Sequence, residues 1–169
     1  EGERRRIADP CEQGGGQGRG QAGVEETGAV EAERMGDMAA RVLNALPLGE
    51  KLHVVEVGAG QGVFLKYLAD TAGKNLGSAT GFDPAWRGQP GTGPTPARLY
   101  ADLFDANTAA RLPHTPNIVV SRHTIEHVQQ PLKFLVTIRD AVPPGATVRM
   151  AIETIGMAGG SARAARTRG

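Results

Sequence analysis

The middle of the chain alternates between two hydrophobic spacings, one typical of helices and the other of short buried strands. An apolar stripe at helical spacing runs over 35–46 and predicts a helix that ends before Pro47. Apolar runs predict five strands, at 52–57, 79–82, 98–100, 117–121 and 146–152. Further helices are predicted at 63–73, 105–112 and 131–142. This alternation indicates an α/β fold with a doubly wound, mostly parallel sheet and helices on both faces.

The two ends of the chain differ in composition from the middle. Only three of the Leu, Ile, Val and Phe residues lie outside 42–155, and both ends are rich in glycine and arginine. Segments of this composition cannot bury enough apolar surface to fold. We therefore expect a disordered leader over 1–30, a folded domain over 31–155 and a disordered tail over 156–169.

Net charge and cysteine content argue against several classes of function. A formal net charge of +1 gives no electrostatic reason to expect nucleic acid or an anionic membrane as a partner. The chain contains no run of about 18 apolar residues, the length that a transmembrane helix needs. Cys11 is the only cysteine, so an internal disulfide and a cysteine-rich zinc site are excluded. These features favour a cytoplasmic protein and leave its oligomeric state open.

A glycine-rich turn separates the first predicted strand from the next helix. Gly58, Gly60 and Gly62 follow Glu56 at alternate positions. Glycine allows a tight turn and lets a ligand lie against bare backbone, and the amides of the next helix point at that ligand. The third glycine comes one residue earlier than in the dinucleotide pattern G-x-G-x-x-G, and a carboxylate at Glu56 would repel a pyrophosphate. The turn therefore favours a positively charged nucleoside ligand over NAD.

The pattern Glu56-x-Gly58-x-Gly60-x-Gly62 resembles motif I of the class I S-adenosylmethionine (SAM) dependent methyltransferases. In that family the turn passes beside the amino-acid part of SAM, and the acid helps to hold its ammonium group. The resemblance implies a Rossmann-like fold and S-adenosyl-L-methionine as the cofactor. It extends from the first amphipathic helix to the fifth predicted strand.

Acidic residues follow two later strands at positions that suit the rest of this cofactor. Asp83, at the end of the second strand, can accept both hydroxyls of a ribose, although a residue before Pro84 can also be a simple turn former. The resemblance implies that Asp102 accepts from the adenine amino group and that Leu103 packs on the ring. Asp105 competes with Asp102 for this role, but its position favours a helix N-cap.

The segment after the fourth strand contains two histidines four residues apart. Together with 81–88, it resembles a bacterial subgroup related to nucleotide-sugar C-methyltransferases. The resemblance implies that Ser121 and His123 lie at the cofactor and that His127 lies beside the transferred methyl group. Imidazole titrates near neutral pH, so His127 is the candidate general base, with a structural histidine as the alternative. The pair lacks a third ligand and the HExxH order, and no metal site is predicted.

These residues predict a SAM-dependent methyltransferase that acts on a small-molecule acceptor, with a sugar-derived acceptor as the finer interpretation. Because the resemblance ends at the fifth strand, we expect an incomplete methyltransferase domain. A non-catalytic SAM-binding or interaction module is therefore an alternative. An NAD-dependent oxidoreductase is a second alternative, which the glycine spacing and Glu56 disfavour.

Overall fold

The computed structural model describes residues 19–144, 146 and 148–154, with side chains from residue 28 onward. Its strands are β1 (Leu52–Val57), β2 (Leu76–Phe82), β3 (Arg98–Tyr100), β4 (Ile118–Arg122) and β5 (Arg149–Glu153). They form one sheet in the order β3-β2-β1-β4-β5, and every neighbouring pair is parallel. The predicted doubly wound parallel sheet is confirmed.

Four α-helices accompany the strands in the described part of the chain. They are α1 (Arg19–Asn44), α2 (Val63–Ala72), α3 (Ala106–Ala109) and α4 (Pro131–Asp140). Helix α2 begins after Gly62 and stops at Gly73, both with positive φ. Helix α4 begins with Pro131, whose ring fixes φ at a helical value and whose missing N–H costs nothing in the first turn.

The beginning of α1 corrects one expectation from the sequence. The helix starts at Arg19, so residues 19–30 of the expected leader are helical. The same helix continues through 31–41, which is rich in Ala, Glu and Arg, and these strong helix formers outweigh the glycines at its beginning. By the contacts of its residues, the chain divides into two units between Arg34 and Met35. Residues 1–18 and the expected tail 156–169 lie outside the described residues.

The sheet is buried on both faces because successive residues of a strand point to opposite sides. On one face, Val54 packs with Leu65 and Leu68 of α2. On the other face, Val55 packs in a second cluster that includes Ile138 of α4. Helices therefore cover both faces, as predicted, and the carboxyl edge of the strands is left for function.

Asp105 is the N-cap of α3, which confirms the favoured interpretation of this residue. Its carboxylate accepts from the Thr108 N–H at 2.9 Å, and the Thr108 hydroxyl accepts from the Asp105 N–H at 2.8 Å. This capping box lowers the pKa of Asp105, chiefly through the Thr108 N–H. The interaction fixes the loop that begins at Asp102 after β3.

Candidate functional site

The glycine turn lies where the strand order reverses, between β1 and β4. In open parallel sheets this reversal opens a crevice at the carboxyl ends of the strands. The Gly58 N–H donates to the Phe82 carbonyl at 2.8 Å, which ties the start of the turn to the end of β2. Gly58, Gly60 and Gly62 all have positive φ, at 79°, 54° and 74°. The predicted turn is therefore present at the edge where a ligand would bind.

The glycines differ in what surrounds them. A Cβ added to Gly60 would meet no atom within 4 Å, so its backbone borders open space. A Cβ on Gly58 would lie only 2.0 Å from the Thr124 hydroxyl oxygen. Gly58 is therefore required for packing against the loop after β4, whereas Gly60 lines a space that a ligand can fill.

Asp83 is bound to this turn through its carboxylate. Its Oδ2 accepts from the Gly60 N–H at 2.7 Å, and its Oδ1 accepts from the Ala85 N–H at 2.7 Å. The second contact has the geometry of a turn-starting aspartate, which supports the turn-former alternative, and the ribose contact of Asp83 stays a prediction. Each carboxylate oxygen can accept more than one hydrogen bond, which leaves capacity for ligand hydroxyls.

Glu56 is a buried carboxylate directly before the turn. The residue is 3 % exposed, and its Oε2 has no hydrogen-bond partner. Burial raises its pKa to about 8, and the nearby Asp83 adds to this, while the Arg122 guanidinium opposes it. An unpartnered buried carboxyl oxygen is costly by itself, and a cationic group brought beside it would be strongly attracted. The unpartnered acceptor at this site therefore fits a ligand with an ammonium group.

The loop after β3 presents an acid and an apolar side chain next to each other. Leu103 is 71 % exposed, whereas the next residue, Phe104, is buried in the core and anchors the loop. Arg111 donates to Asp102 Oδ2 at 2.9 Å, and both side chains of this ion pair are largely exposed. Exposed pairs of this kind are weak, so a ligand donor can replace Arg111 at Asp102.

The end of β4 carries the other predicted cofactor residues. Ser121 is fully buried, and its hydroxyl oxygen has no partner. His123 has a φ of 47°, a left-handed conformation that is uncommon outside glycine. Its Nε2 lies 3.8 Å from Glu153 Oε2 and its Nδ1 lies 3.7 Å from Glu126 Oε1. The His123 ring thus stands between two carboxylates.

His127 ends a short 3₁₀ turn, Ile125–His127, and its side chain is exposed. Its backbone N–H donates to the Thr124 carbonyl at 3.0 Å. Because Thr124 also contacts Gly58, the turn that carries His127 is held close to the glycine turn. No contact of the His127 side chain assigns it a role, and its catalytic role stays a prediction.

Sequence reasoning missed Arg122 and Glu153 as site residues. Arg122 is 8 % exposed, and its Nε donates to Glu153 Oε2. The guanidinium also lies 4.5 Å from the centroid of the Phe64 ring in α2. A charged residue at the end of the fifth strand was the available signal for Glu153, since the carboxyl ends of parallel strands share one edge.

The described residues provide neither a metal-binding cluster nor a membrane-spanning helix. Within this part of the chain, no group of three or more His, Cys, Asp or Glu side chains is arranged to hold a metal ion. None of its helices combines the length and the apolar character that crossing a membrane requires.

Comparison with known proteins gives one family match. A sequence model described as a methyltransferase domain matches residues 30–166, about four fifths of the chain. No curated protein sequence matches the chain significantly.

Solved structures with partial likeness to the chain include several methyltransferases. A SAM dependent methyltransferase from Aquifex aeolicus is 20% identical with a TM-score of 0.46, and the match covers 68% of this chain and 62% of that one. A complex of a methyltransferase activator with a methyltransferase from Haloferax volcanii gives 26% identity, a TM-score of 0.46 and coverages of 71% and 53%. Magnesium protoporphyrin IX methyltransferase from Synechocystis PCC 6803, with bound SAM, is 14% identical with a TM-score of 0.48, and the match covers 82% of this chain and 64% of that one. The chain thus spans between about half and two thirds of the length of these structures.

Proposed function

Because this chain belongs to the methyltransferase-domain family, we propose that it binds S-adenosyl-L-methionine at the carboxyl edge of its sheet and takes part in methyl transfer to a small molecule. The methyltransferase domain predicted from the sequence is confirmed by the family match. The finer proposal is a sugar-derived acceptor. It is supported by the sequence segments at 81–88 and after β4, which resemble the subgroup related to nucleotide-sugar C-methyltransferases.

The observation that carries the proposal is the unpartnered Oε2 of buried Glu56. In the proposed complex, Glu56 accepts from the ammonium group of the ligand, and the open space at Gly60 takes its amino-acid chain. Asp83 accepts from the ribose hydroxyls while it holds Gly60. A pyrophosphate would gain nothing from a buried acid at this position, so the site favours a cationic nucleoside.

The remaining predicted residues complete the proposed binding mode. Asp102 accepts from the adenine amino group, and the exposed Leu103 covers the ring. Ser121 and His123, at the end of β4, line the side of the site nearest the acceptor. His127 takes the proton from the acceptor atom when that atom must lose one.

S-adenosylmethionine supplies an electrophilic methyl group on a sulfonium centre. For the protein, the task is chiefly to align the acceptor with that group, since positioning accounts for much of the acceleration in such a transfer. The turn around Gly60 and the buried carboxyl group of Glu56 suit this task.

Equilibrium binding tests the proposal directly. Isothermal titration calorimetry should detect S-adenosylhomocysteine binding and no NADH binding under the same conditions. Binding of NADH without binding of S-adenosylhomocysteine would overturn the proposed function and favour an oxidoreductase.

Replacing Glu56 with glutamine should change the pH dependence of both stability and binding. The pKa of Glu56 is raised to about 8, so its protonated form stabilises the empty protein at low pH, and this contribution is lost as pH rises toward 8. Ligand affinity should show the opposite trend, because the ammonium group prefers the carboxylate. The increase in melting temperature that S-adenosylhomocysteine causes should therefore grow as pH rises in the wild type, and much less in Glu56→Gln. Equal growth in both proteins would contradict the role of Glu56.

Replacing Asp83 with asparagine should weaken S-adenosylhomocysteine binding by about tenfold or more. The change removes the charge from hydrogen bonds that contribute on the order of 1.5–3 kcal/mol each. The matched control is Asp140→Asn, since Asp140 is exposed at the end of α4, away from the carboxyl edge. Calorimetry that finds wild-type affinity in Asp83→Asn would leave Asp83 only its role in the turn.

A further inference from the structure

Three charged residues of neighbouring strands lie on one face of the sheet near its carboxyl edge. Glu56 of β1 pairs in register with Val120 of β4, and Arg122 of β4 pairs with Glu153 of β5. Side chains two residues apart on a strand share a face, so Glu56, Arg122 and Glu153 point to the same side, toward α2. Strand β4 lies between β1 and β5, and Arg122 lies two residues beyond Val120, the residue opposite Glu56.

The side chain of Arg122 is held by Glu153 on the neighbouring strand β5. Arg122 and Glu153 form an ion pair, and the exposed fractions of their side chains are only 7% and 15%. The ring of Phe64 lies beneath the guanidinium, 4.5 Å from it. A buried charge-assisted pair with an aromatic contact fixes the direction of a long side chain much better than an exposed pair does.

Glu56, on the strand β1 at the other side of β4, has a carboxyl oxygen without a hydrogen-bond partner. Its Oε2 is buried and makes no hydrogen bond, even though Arg122 projects from the adjacent strand on the same face. Neighbouring strands are about 4.8 Å apart and two residues advance a strand by about 6.6 Å, so the Cα atoms of Glu56 and Arg122 are separated by about 8 Å, a distance that a guanidinium on its flexible stem can span. An arginine released from Glu153 could therefore close onto Glu56.

We propose that Glu153 is a positioning residue for cofactor binding, which holds Arg122 away from Glu56 so that Glu56 stays open to the ammonium group of the ligand. This inference rests on the proposed function, because it assigns a second residue to the same site. Glu153 is also joined to the site through its backbone, since its carbonyl accepts from the His123 N–H at 2.8 Å.

The charged groups that face Glu56 are few among the described residues. Arg122 approaches it from β4 and Asp83 from the end of β2, while α2 contributes the Leu65 N–H. Arg122 stabilises the ionised form of Glu56, and Asp83 opposes it. If Arg122 moves from Glu153 to Glu56, the pKa of Glu56 must fall, and its carboxylate is then occupied.

The test uses two ligands and one substitution to distinguish a positioning role of Glu153 from a contribution to folding stability alone. The variant is Glu153→Gln, and the matched control is Glu50→Gln, at an exposed position before β1. S-adenosylhomocysteine carries the amino-acid group, whereas methylthioadenosine lacks it and keeps the nucleoside. Binding of each ligand is measured by calorimetry at several pH values on either side of about 8, where Glu56 titrates.

We expect Glu153→Gln to weaken S-adenosylhomocysteine binding by about tenfold, the effect of losing one charge-assisted hydrogen bond. Methylthioadenosine affinity should stay at the wild-type level, because that ligand has no ammonium group to contact Glu56. The rise of S-adenosylhomocysteine affinity with pH should flatten in the variant. The control Glu50→Gln should match the wild type with both ligands.

Breaking a buried ion pair can unfold a protein, so a second variant replaces both partners. The double variant Arg122→Met with Glu153→Met removes the charges together, a change that is often neutral or stabilising. Without Arg122, the pKa of Glu56 should rise further, so S-adenosylhomocysteine affinity should recover only at higher pH than in the wild type. The two variants thus shift the pH profile in opposite directions.

The outcomes are distinct. Equal loss of both ligands in Glu153→Gln, or an unchanged pH profile in both variants, overturns the positioning role. A wild-type protein that binds neither ligand refutes the proposed function itself. Selective loss of S-adenosylhomocysteine, with opposite shifts in the two profiles, supports the inference.

Discussion

Replacing Gly60 with valine should abolish measurable binding of S-adenosylhomocysteine. Gly60 has a φ of 54°, which a β-branched residue adopts only with strain, and its missing side chain leaves open space at the turn. A valine would fill the space that the amino-acid chain of the ligand is proposed to occupy. The strain would also displace the Gly60 N–H, which donates to Asp83 Oδ2 at 2.7 Å. Asp83, a second proposed binding residue, would then lose its position. Calorimetry with the purified variant gives the affinity.

A second glycine separates loss of the ligand space from backbone strain. Gly49 also has a positive φ, 86°, and open space around it, but it lies in the loop before β1, at the opposite edge of the sheet. Gly49→Val should lower thermal stability and leave S-adenosylhomocysteine affinity unchanged. If Gly60→Val binds as tightly as Gly49→Val does, the turn is not the place where the amino-acid part of the ligand lies.

The sequence pattern located most strands because strands buried on both faces appear as continuous apolar runs. Predicted and observed limits agree for β1 and β3. The start of β2 was missed, since Gly77 and Ser78 interrupt the apolar run and the strand is extended there by pairing with β1. The end of β5 was placed one residue short, because Glu153 is charged, although it pairs with Arg122.

Composition misled the prediction for 19–30. The glycine and glutamine residues of the leader suggested disorder, whereas the helix runs through Arg19–Asn44 without a break. The stripe at 35–46 lies at the end of that helix, where Met38, Ala39 and Val42 are buried. Hydrophobic periodicity therefore identified the part of the helix that packs and could not find the part that depends on intrinsic propensity.

The candidate site could be predicted as far as it depends on chain order. Residues that follow parallel strands share one edge, which is sufficient to bring Glu56, Gly60 and Asp83 together. The charge state of Glu56 could not be predicted, because it depends on burial and on the pairing of β1 with β4, which brings Arg122 near it. The pairing of β4 with β5 joins Arg122 to Glu153, residues that are far apart in the sequence.

Replacing His127 with asparagine should lower the rate of methyl transfer by roughly 10²- to 10⁴-fold if its imidazole is the general base. The residue ends the turn after β4, its side chain is exposed, and the turn is tied to the glycine loop through Thr124. The experiment measures formation of S-adenosylhomocysteine at saturating S-adenosylmethionine, with a nucleotide-linked sugar as the acceptor. The wild-type rate should rise with pH, since a general base acts only in its unprotonated form. Cofactor affinity should stay near the wild-type value.

A second exposed histidine supplies the control for this measurement. His114 precedes β4, at the opposite end of the strand from His127, so His114→Asn should retain the wild-type rate and pH profile. A His127→Asn variant that loses thermal stability and cofactor affinity together would identify a structural histidine. A variant with a lower rate whose pH transition survives would show that His127 orients the acceptor while another group takes the proton. The general-base assignment therefore requires both results in one variant, a large fall in rate and the disappearance of the pH transition.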